Sequence, residues 1–450
     1  MIYNANFKYN QENYNYLGFL VADTTYYKKN YIYKVYAKST FEWDSFKWDI
    51  GKWSTGLEKG LIAIWRNDVI SEPTFQSTIN SGDAEMVIRL ARPFDNFGEN
   101  LDVELNNKVE CIIYDKEEPN GKTLFSGFIA GYMPTLEDDN QYLDVRVKGY
   151  TATLNRIMKD NSGNTTITYT NQDPSNILKD VINKFQNDLG EIGYSGTNIQ
   201  LTNTQVTYTF NTVTYKEALD KIIEFSPFGW FYRIDSTNKI YFQEKPIIIN
   251  HQISTKKDVL YLQPERNIDD FANEIYFIGG ETGGSNLFLF TKDTTSIDDY
   301  GKQAEKVFDA GVTNTQTATK IIQRRLQEKA NPTRRTIVRI ADSNGSTYSD
   351  IGYDIESIKV GENISISELT GAIPNPTLWD NFVWEQNLWD NVRSAELSDL
   401  MQIVRITYNP DFLELEATTR LPEINRRIED INLKVESNNL VGNPTIPTEV

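Results

Sequence analysis

The sequence predicts an α+β protein, mostly β: two related antiparallel β-barrel domains flanking a small α+β domain, with a C-terminal helix. Three observations lead there. Two segments, residues 56–150 and 336–420, carry the same succession of short alternating strands divided by turn clusters. Between them lie helices with clear start and stop signals and an aromatic hairpin. After them, Leu421, Ile424, Ile428, Ile431 and Val435 recur at spacings of three and four.

Composition sets the outer bounds. At 450 residues the chain exceeds the length at which single cores stop growing, so two to four domains are expected. Against 45 Lys and Arg stand 63 Asp and Glu, a net charge of −18. That balance argues against a surface built to grip nucleic acid, which needs clustered cations. It suits the wall of a passage along which DNA slides without sticking. Cys111 is the single cysteine, so an intramolecular disulfide and a cysteine zinc cluster are excluded, and its alternating surroundings read as those of a buried structural thiol. His251 is the single histidine, placed in what reads as a strand-end turn, and multi-histidine metal sites are excluded with it. No cofactor is expected. The opening stretch lacks a basic region leading into an apolar core, so no signal peptide is expected, and no apolar run approaches the roughly 20 residues of a membrane helix.

Residues 1–55 read as an N-terminal arm with a possible strand at Tyr31 to Tyr36 and a Trp-rich loop. In that loop Trp43, Trp48 and Trp53 stand five apart, with Asp44, Phe46 and Asp49 between them. The pattern returns in an insertion at 378–390 as Trp379, Trp384 and Trp389 with Asp380, Phe382 and Glu385. A spacing of five matches neither a helix face nor a strand, so each segment should be a compact knob of stacked indoles. Two readings stand: a platform for a partner or a cell-surface glycan, or a self-packed decoration.

Residues 56–150 supply strands at Gly60 to Trp65, Glu85 to Leu90, Lys108 to Tyr114, Thr123 to Tyr132 and Tyr142 to Gly149. Glu137, Asp138 and Asp139 lie between two of them and read as a solvated hairpin tip. In the α+β segment, 151–265, Asp173 and Pro174 open a helix whose stripe is Ile177, Leu178, Val181, Ile182, Phe185 and Leu189, with Gly190 at its end. Thr214 and Glu217 form a capping box for a second helix at Tyr215, which Ser226 and Pro227 stop. Trp230 to Asp235 and Lys239 to Gln243 then make a hairpin.

The connecting region, 266–335, holds the strand Ala272 to Gly280, a hairpin flap around Gly283 and Gly284, and a helix from about Gln316 to Lys329. Lys320, Arg324, Arg325, Lys329, Arg334 and Arg335 form the concentrated basic stretch of the chain, expected to meet an acidic protein neighbour. Residues 336–420 repeat the earlier strand grammar: Gly361 to Ile366 parallels 108–114, Gln402 to Tyr408 parallels 124–132, and Leu413 to Ala417 parallels 143–147. In 421–450 the seam Leu421, Ile424, Ile428, Ile431 and Val435 reads either as a short coiled coil, whose β-branched positions favour three or four strands, or as a lone amphipathic helix. Residues 443–447 read as a flexible tail.

The helix followed by the Gly229-Trp230-Phe231-Tyr232-Arg233-Ile234 hairpin resembles a unit of the baseplate hub proteins at the tip of bacteriophage tails and related injection machines. The strands Val109 to Tyr114, Leu124 to Gly131 and Leu143 to Val147 closely resemble the last three strands of a phage tube barrel. The resemblance spans about residues 56–420. It implies a structural virion protein: a homotrimer at the distal end of the tail in which two β-barrel tube domains per chain adapt a six-fold tube to a three-fold tip. Its expected partners are copies of itself, a tail tube or distal tail ring, and a fibre or spike. The family offers no catalytic motif to carry over, and no enzyme is expected. A tail-associated peptidoglycan hydrolase and a receptor- or glycan-binding module using the Trp clusters are the alternatives. The Trp repeats and the long arm depart from the general hub pattern.

Overall fold

The computed structural model describes residues 29–36, 61–92, 103–114, 120–137, 140–188, 192–268, 271–282, 284–343, 352–367, 397–419 and 448–449. Period-two alternation becomes strand where expected. Residues 29–149 contain β1 (Asn30–Tyr36), β2 (Leu61–Trp65), β3 (Phe75–Thr78), β4 (Gly82–Leu90), β5 (Lys108–Tyr114), β6 (Lys122–Glu137) and β7 (Asn140–Gly149). The next stretch contains β8 (Thr166–Gln172), α1 (Pro174–Asp188), β9 (Val206–Asn211), α2 (Tyr215–Phe225), β10 (Trp230–Ile234) and β11 (Ile240–Glu244). The capping box at Thr214 and Glu217 forms as read, with both reciprocal bonds made. Then come β12 (His251–Ser254), β13 (Val259–Asn267), β14 (Glu274–Thr282), β15 (Ser285–Lys292), α3 (Thr294–Tyr300), β16 (Ala304–Asp309) and α4 (Thr315–Lys329). The chain returns to strand in β17 (Thr333–Ala341), β18 (Asn363–Ser367), β19 (Leu397–Asn409) and β20 (Phe412–Thr418).

Two separate closed barrels do not form among the described residues. Thirteen strands instead join one sheet in the order β13-β17-β20-β19-β3-β4-β7-β6-β5-β1-β2, with β18 on β19 and β12 on β18. The reason is local. β19 is long enough to serve two neighbours along one edge: Met401 and Gln402 pair with β18, while Arg405 to Tyr408 pair with β3. Strands that alternation alone assigns to separate cores therefore share one, which runs from Tyr33, Phe125 and Val145 to Val338, Ile364 and Leu415.

Within this sheet the chain is nonetheless duplicated. The order β3-β4-β7-β6-β5-β1 recurs as β13-β17-β20-β19-β18-β12. The repeat extends to backbone irregularities. The β6–β7 ladder slips one residue between Ile129 and Gly131, and the β19–β20 ladder slips one between Ile403 and Arg405. Just before β5, Asn106 is left-handed with φ 69° and its N–H donates to Ile129 O at 2.8 Å. Just before β18, Gly361 is left-handed with φ 87° and its N–H donates to Ile403 O at 2.7 Å. Even one surface ion pair recurs: Arg89 with the facing Asp144 on β4 and β7, and Arg339 with the facing Glu414 on β17 and β20, each at 2.7 Å. The repeats differ in that β1 runs antiparallel to β5 whereas β12 runs parallel to β18.

The α+β body grows from two places in this duplicated sheet. One is the link between the repeats, residues 150–244. The other is an insertion between β13 and β17, where the first repeat has only the tight β3–β4 turn. Both contribute to one core: Phe185, Tyr215, Ile222 and Phe242 from the link meet Ile275, Phe277, Ile321 and Ile322 from the insertion. β12 and most of β13, which fall inside the 151–265 segment of the sequence reading, pair within the large sheet.

The two left-handed residues separate backbone need from packing. Gly361→Ala is expected to destabilise the protein by at least about 2 kcal/mol, because an added Cβ meets both a disfavoured φ and the Phe231 ring at 2.3 Å. Asn106→Gly, at the matching position, is expected to change stability by no more than about 1 kcal/mol. Urea unfolding of the two variants beside the parent measures both.

Candidate functional site at the joint between the repeats

The second half of β19 takes β3 antiparallel along its edge, with Tyr408 opposite Phe75, Thr407 opposite Gln76, Ile406 opposite Ser77 and Arg405 opposite Thr78. The rings of Phe75 and Tyr408 stack at 5.1 Å with an interplanar angle of 20°. Phe75 also meets Phe125 of β6 at 5.4 Å. A polar cluster adjoins this stack. Tyr408 Oη donates to Glu356 Oε1 at 2.8 Å and lies 2.9 Å from Tyr31 Oη. Lys29 Nζ reaches Glu356 Oε1 at 2.6 Å and Asp342 Oδ1 at 3.0 Å. These three charged side chains are at most 7% exposed. Lys122 Nζ donates to the Glu356 carbonyl at 3.0 Å. Lys29, Tyr31 and Lys122 come from the first repeat, and Asp342, Glu356 and Tyr408 from the second. Burial pushes both phenols far above their ordinary range, with the Glu356 charge adding to the effect, so they remain protonated donors.

The α+β body docks on the same joint. Ile79, at the β3–β4 turn, packs on Phe231 of β10 and Val404 of β19. Asn80 N–H donates to Tyr232 O at 2.9 Å, and Tyr232 N–H returns a bond to Asn80 Oδ1 at 3.0 Å. Arg324 fixes the turn ahead of β10 by donating to the carbonyls of Ser226 at 3.0 Å, Pro227 at 2.7 Å and Trp230 at 3.2 Å. Beside the turn, burial raises the Asp83 carboxyl to about 7, a rise that the hydrogen bond with Ser77 opposes and the charge of Asp235 augments.

The six basic residues singled out in the sequence do not make one outward patch. Arg324 is buried and pairs with Glu328 at 2.7 Å. Arg325 and Lys329 both pair with Glu305, at 2.8 and 2.9 Å. Lys320 donates to the Gln205 carbonyl. Arg335 lies 2.6 Å from Glu416, on β17, where Arg334 also sits. A helix carrying several cations at helical spacing turns some of them inward when neighbouring elements supply carboxylates, and periodicity alone does not reveal those carboxylates. Trp43, Trp48, Trp53, Trp379, Trp384 and Trp389 lie outside the described residues, as do Leu421, Ile424, Ile428, Ile431 and Val435. His251 opens β12 rather than sitting in a turn; its ring is buried, 3.0 Å from Tyr353 Oη and 2.7 Å from Glu362 Oε2. Cys111 is fully buried, and burial pushes its thiol up to about 12. Among the described residues no group of three or more His, Cys, Asp or Glu side chains is placed to hold a metal ion, and no helix is long and apolar enough to cross a membrane.

Sequence reasoning passed over the joint itself. Lys29 and Glu356 are 327 positions apart, and nothing near either marks it as half of a pair. Phe75 and Tyr408 offered only the signal of large rings in alternating strands.

No family model matches the sequence, and no curated protein matches it either. Solved structures do. The 43 kDa tail protein of prophage MuSo2 from Shewanella oneidensis has a TM-score of 0.53 at 11% identity, covering 87% of this chain and 98% of that one. A tail protein from Neisseria meningitidis has a TM-score of 0.52 at 11% identity, covering 87% and 97%. A prophage tail protein from Listeria monocytogenes has a TM-score of 0.50 at 11% identity, covering 90% and 99%. The chain therefore has the fold of phage tail proteins along almost its whole length.

Two substitutions probe the joint. Lys29→Met leaves Asp342 and Glu356 buried without their shared cation and is expected to cost about 3–5 kcal/mol in urea unfolding. Asp83 carries a pH signature. Its folded pKa lies above its unfolded one, so the native state holds the extra proton between about pH 4 and about pH 7, and stability falls as pH rises through that window. Asp83→Asn is expected to flatten that part of the stability profile relative to the parent, by an amount on the order of 4 kcal/mol at most.

Proposed function

We propose that this chain is a structural component of a phage tail, a homotrimeric hub at the distal end of the tail tube. The observation that carries the reading is the duplicated six-strand order within one polypeptide, locked by a continuous sheet into one unit. Three such chains present six near-equivalent sheet repeats around one axis, so a three-fold tip can seat on a six-fold ring. On this reading the two repeats are the tube domains, the neighbour above is a tail tube or distal tail ring, and the neighbour below is a fibre or spike that the hub anchors. The charge-bearing sheet faces, with the Arg89–Asp144 and Arg339–Glu414 pairs, line the channel. The cations of these two pairs are matched by facing carboxylates, and the chain carries −18 overall, so the pairs add no free positive charge to the lining. The seam at 421–435 adds a trimer contact below the ring.

Native mass measurement of the full chain is expected to give three copies, and a reconstruction of the intact particle is expected to place them around the tail axis at its distal end. A single copy in solution together with no density at the tip would overturn the reading.

A further inference from the structure

The duplication makes the inner joint a template. In the first repeat β3 lies outside β4; in the second, β13 lies outside β17. The β3 edge is covered by β19, whereas no described strand pairs with the outer edge of β13. Likewise β19 runs on past β18 and its residues 405–408 receive β3. Its counterpart β6 runs on past β5, whose pairing stops at Phe128, and no described strand receives residues 131–136 on that side. Each chain thus shows, at opposite ends of its duplicated sheet, the two halves of a contact that it already makes once internally.

We propose that in the assembled protein the outer edge of β13 in one copy meets residues 131–136 of β6 in the next copy, repeating between chains the β3–β19 joint within a chain. The proposal rests on the trimeric reading above and adds which strands meet. Registers follow from the repeat. Pro134 pairs with Leu143 as Tyr408 pairs with Leu413, and Pro264 pairs with Thr336 as Phe75 pairs with Met86 at the matching place. Pro264 therefore comes opposite Pro134, Glu265 opposite Met133, and Leu262 opposite Leu136. Met133 and Leu136 are 61% and 64% exposed in the single chain, as an unfilled contact requires.

The prolines shape the contact. Ile79 N–H donates to Val404 O at 2.9 Å, which sets the phase of the inner ladder and makes Phe75 and Tyr408 a hydrogen-bonded pair. With proline at both matching positions, neither backbone bond can form there. Copies then meet through side chains and the flanking pairs, and the continuous edge ladder by which head-to-tail contacts run on into fibres is interrupted.

The test uses the full chain carrying Met133→Cys and Glu265→Cys, two exposed positions whose counterparts Thr407 and Gln76 form a facing pair. Cys111 is buried and stays out of the chemistry. On mild oxidation, dithiothreitol-sensitive dimers and trimers are expected on a non-reducing gel, with neither single variant forming them in comparable yield. A gel showing only the single-chain band while native mass still gives three copies overturns the proposal and leaves the trimer standing. A native mass of one copy overturns both.

Discussion

Everything else in the molecule depends on one strand edge being shared. β19 gives the first part of its edge to β18 and the second part to β3, so the repeats cannot rotate against each other without breaking ladder pairs. The side chains reinforce the constraint. Separating the repeats would unstack Phe75 from Tyr408 and strip Lys29 from two carboxylates buried in the other repeat. A buried ion pair of this kind adds little net stability over an apolar filling of the same volume. Its effect is on specificity: an arrangement that misaligns the repeats leaves charges unpaired in a low-dielectric interior, whereas misaligned apolar groups would cost less.

The α+β body acts on that joint as a wedge. It contributes Phe231 between Ile79 and Val404, and Gly361 is obliged to be glycine because the Phe231 ring occupies the space of a Cβ. Arg324 holds the turn that aims β10, and Lys221, bridging Glu224 and Asp309, ties α2 to β16. Much of the basic stretch of α4 pairs with Glu305, Glu328 and backbone carbonyls, so these cations are neutralised within the body, and the net charge of −18 is left as it was. A chain with a net charge of −18 repels a polyanion rather than holding it.

Much of the fold was legible because local chemistry and tertiary structure agree in it. Thr214 and Glu217 cap a helix in isolation and in the protein alike, and the alternation of Leu143 to Val147 is the same whether the strand ends in a barrel or an open sheet. The kinship of the 108–147 and 361–417 segments was readable for the same reason, since a two-residue period and matching turn lengths survive without sequence identity. The joint was not legible. The reach of β19 across two neighbours is a fact about length and edge occupancy, and Lys29 finds Glu356 only after both repeats have folded. Nor did the spacing of Arg324 and Lys329 reveal their burial, because the Glu305 partner of Lys329 lies on β16 and the carbonyl partners of Arg324 lie in the turn before β10 and at that strand's first residue.

The places where the repeats diverge carry as much meaning as those where they agree. Matching positions hold Phe75 and Tyr408 at the inner joint but Pro264 and Pro134 at the outer edges. An inner joint forms once, at the high effective concentration that one chain imposes, and gains from full hydrogen bonding and stacked rings. An outer edge is presented to every other copy from the moment of synthesis, and an unguarded strand there is a template for uncontrolled addition. Proline removes the donor that such addition needs, while leaving side chains free to recognise the correct neighbour. A duplicated chain whose two halves face these different demands is expected to differ in this way, with ladder-forming aromatics inside and ladder-breaking prolines outside.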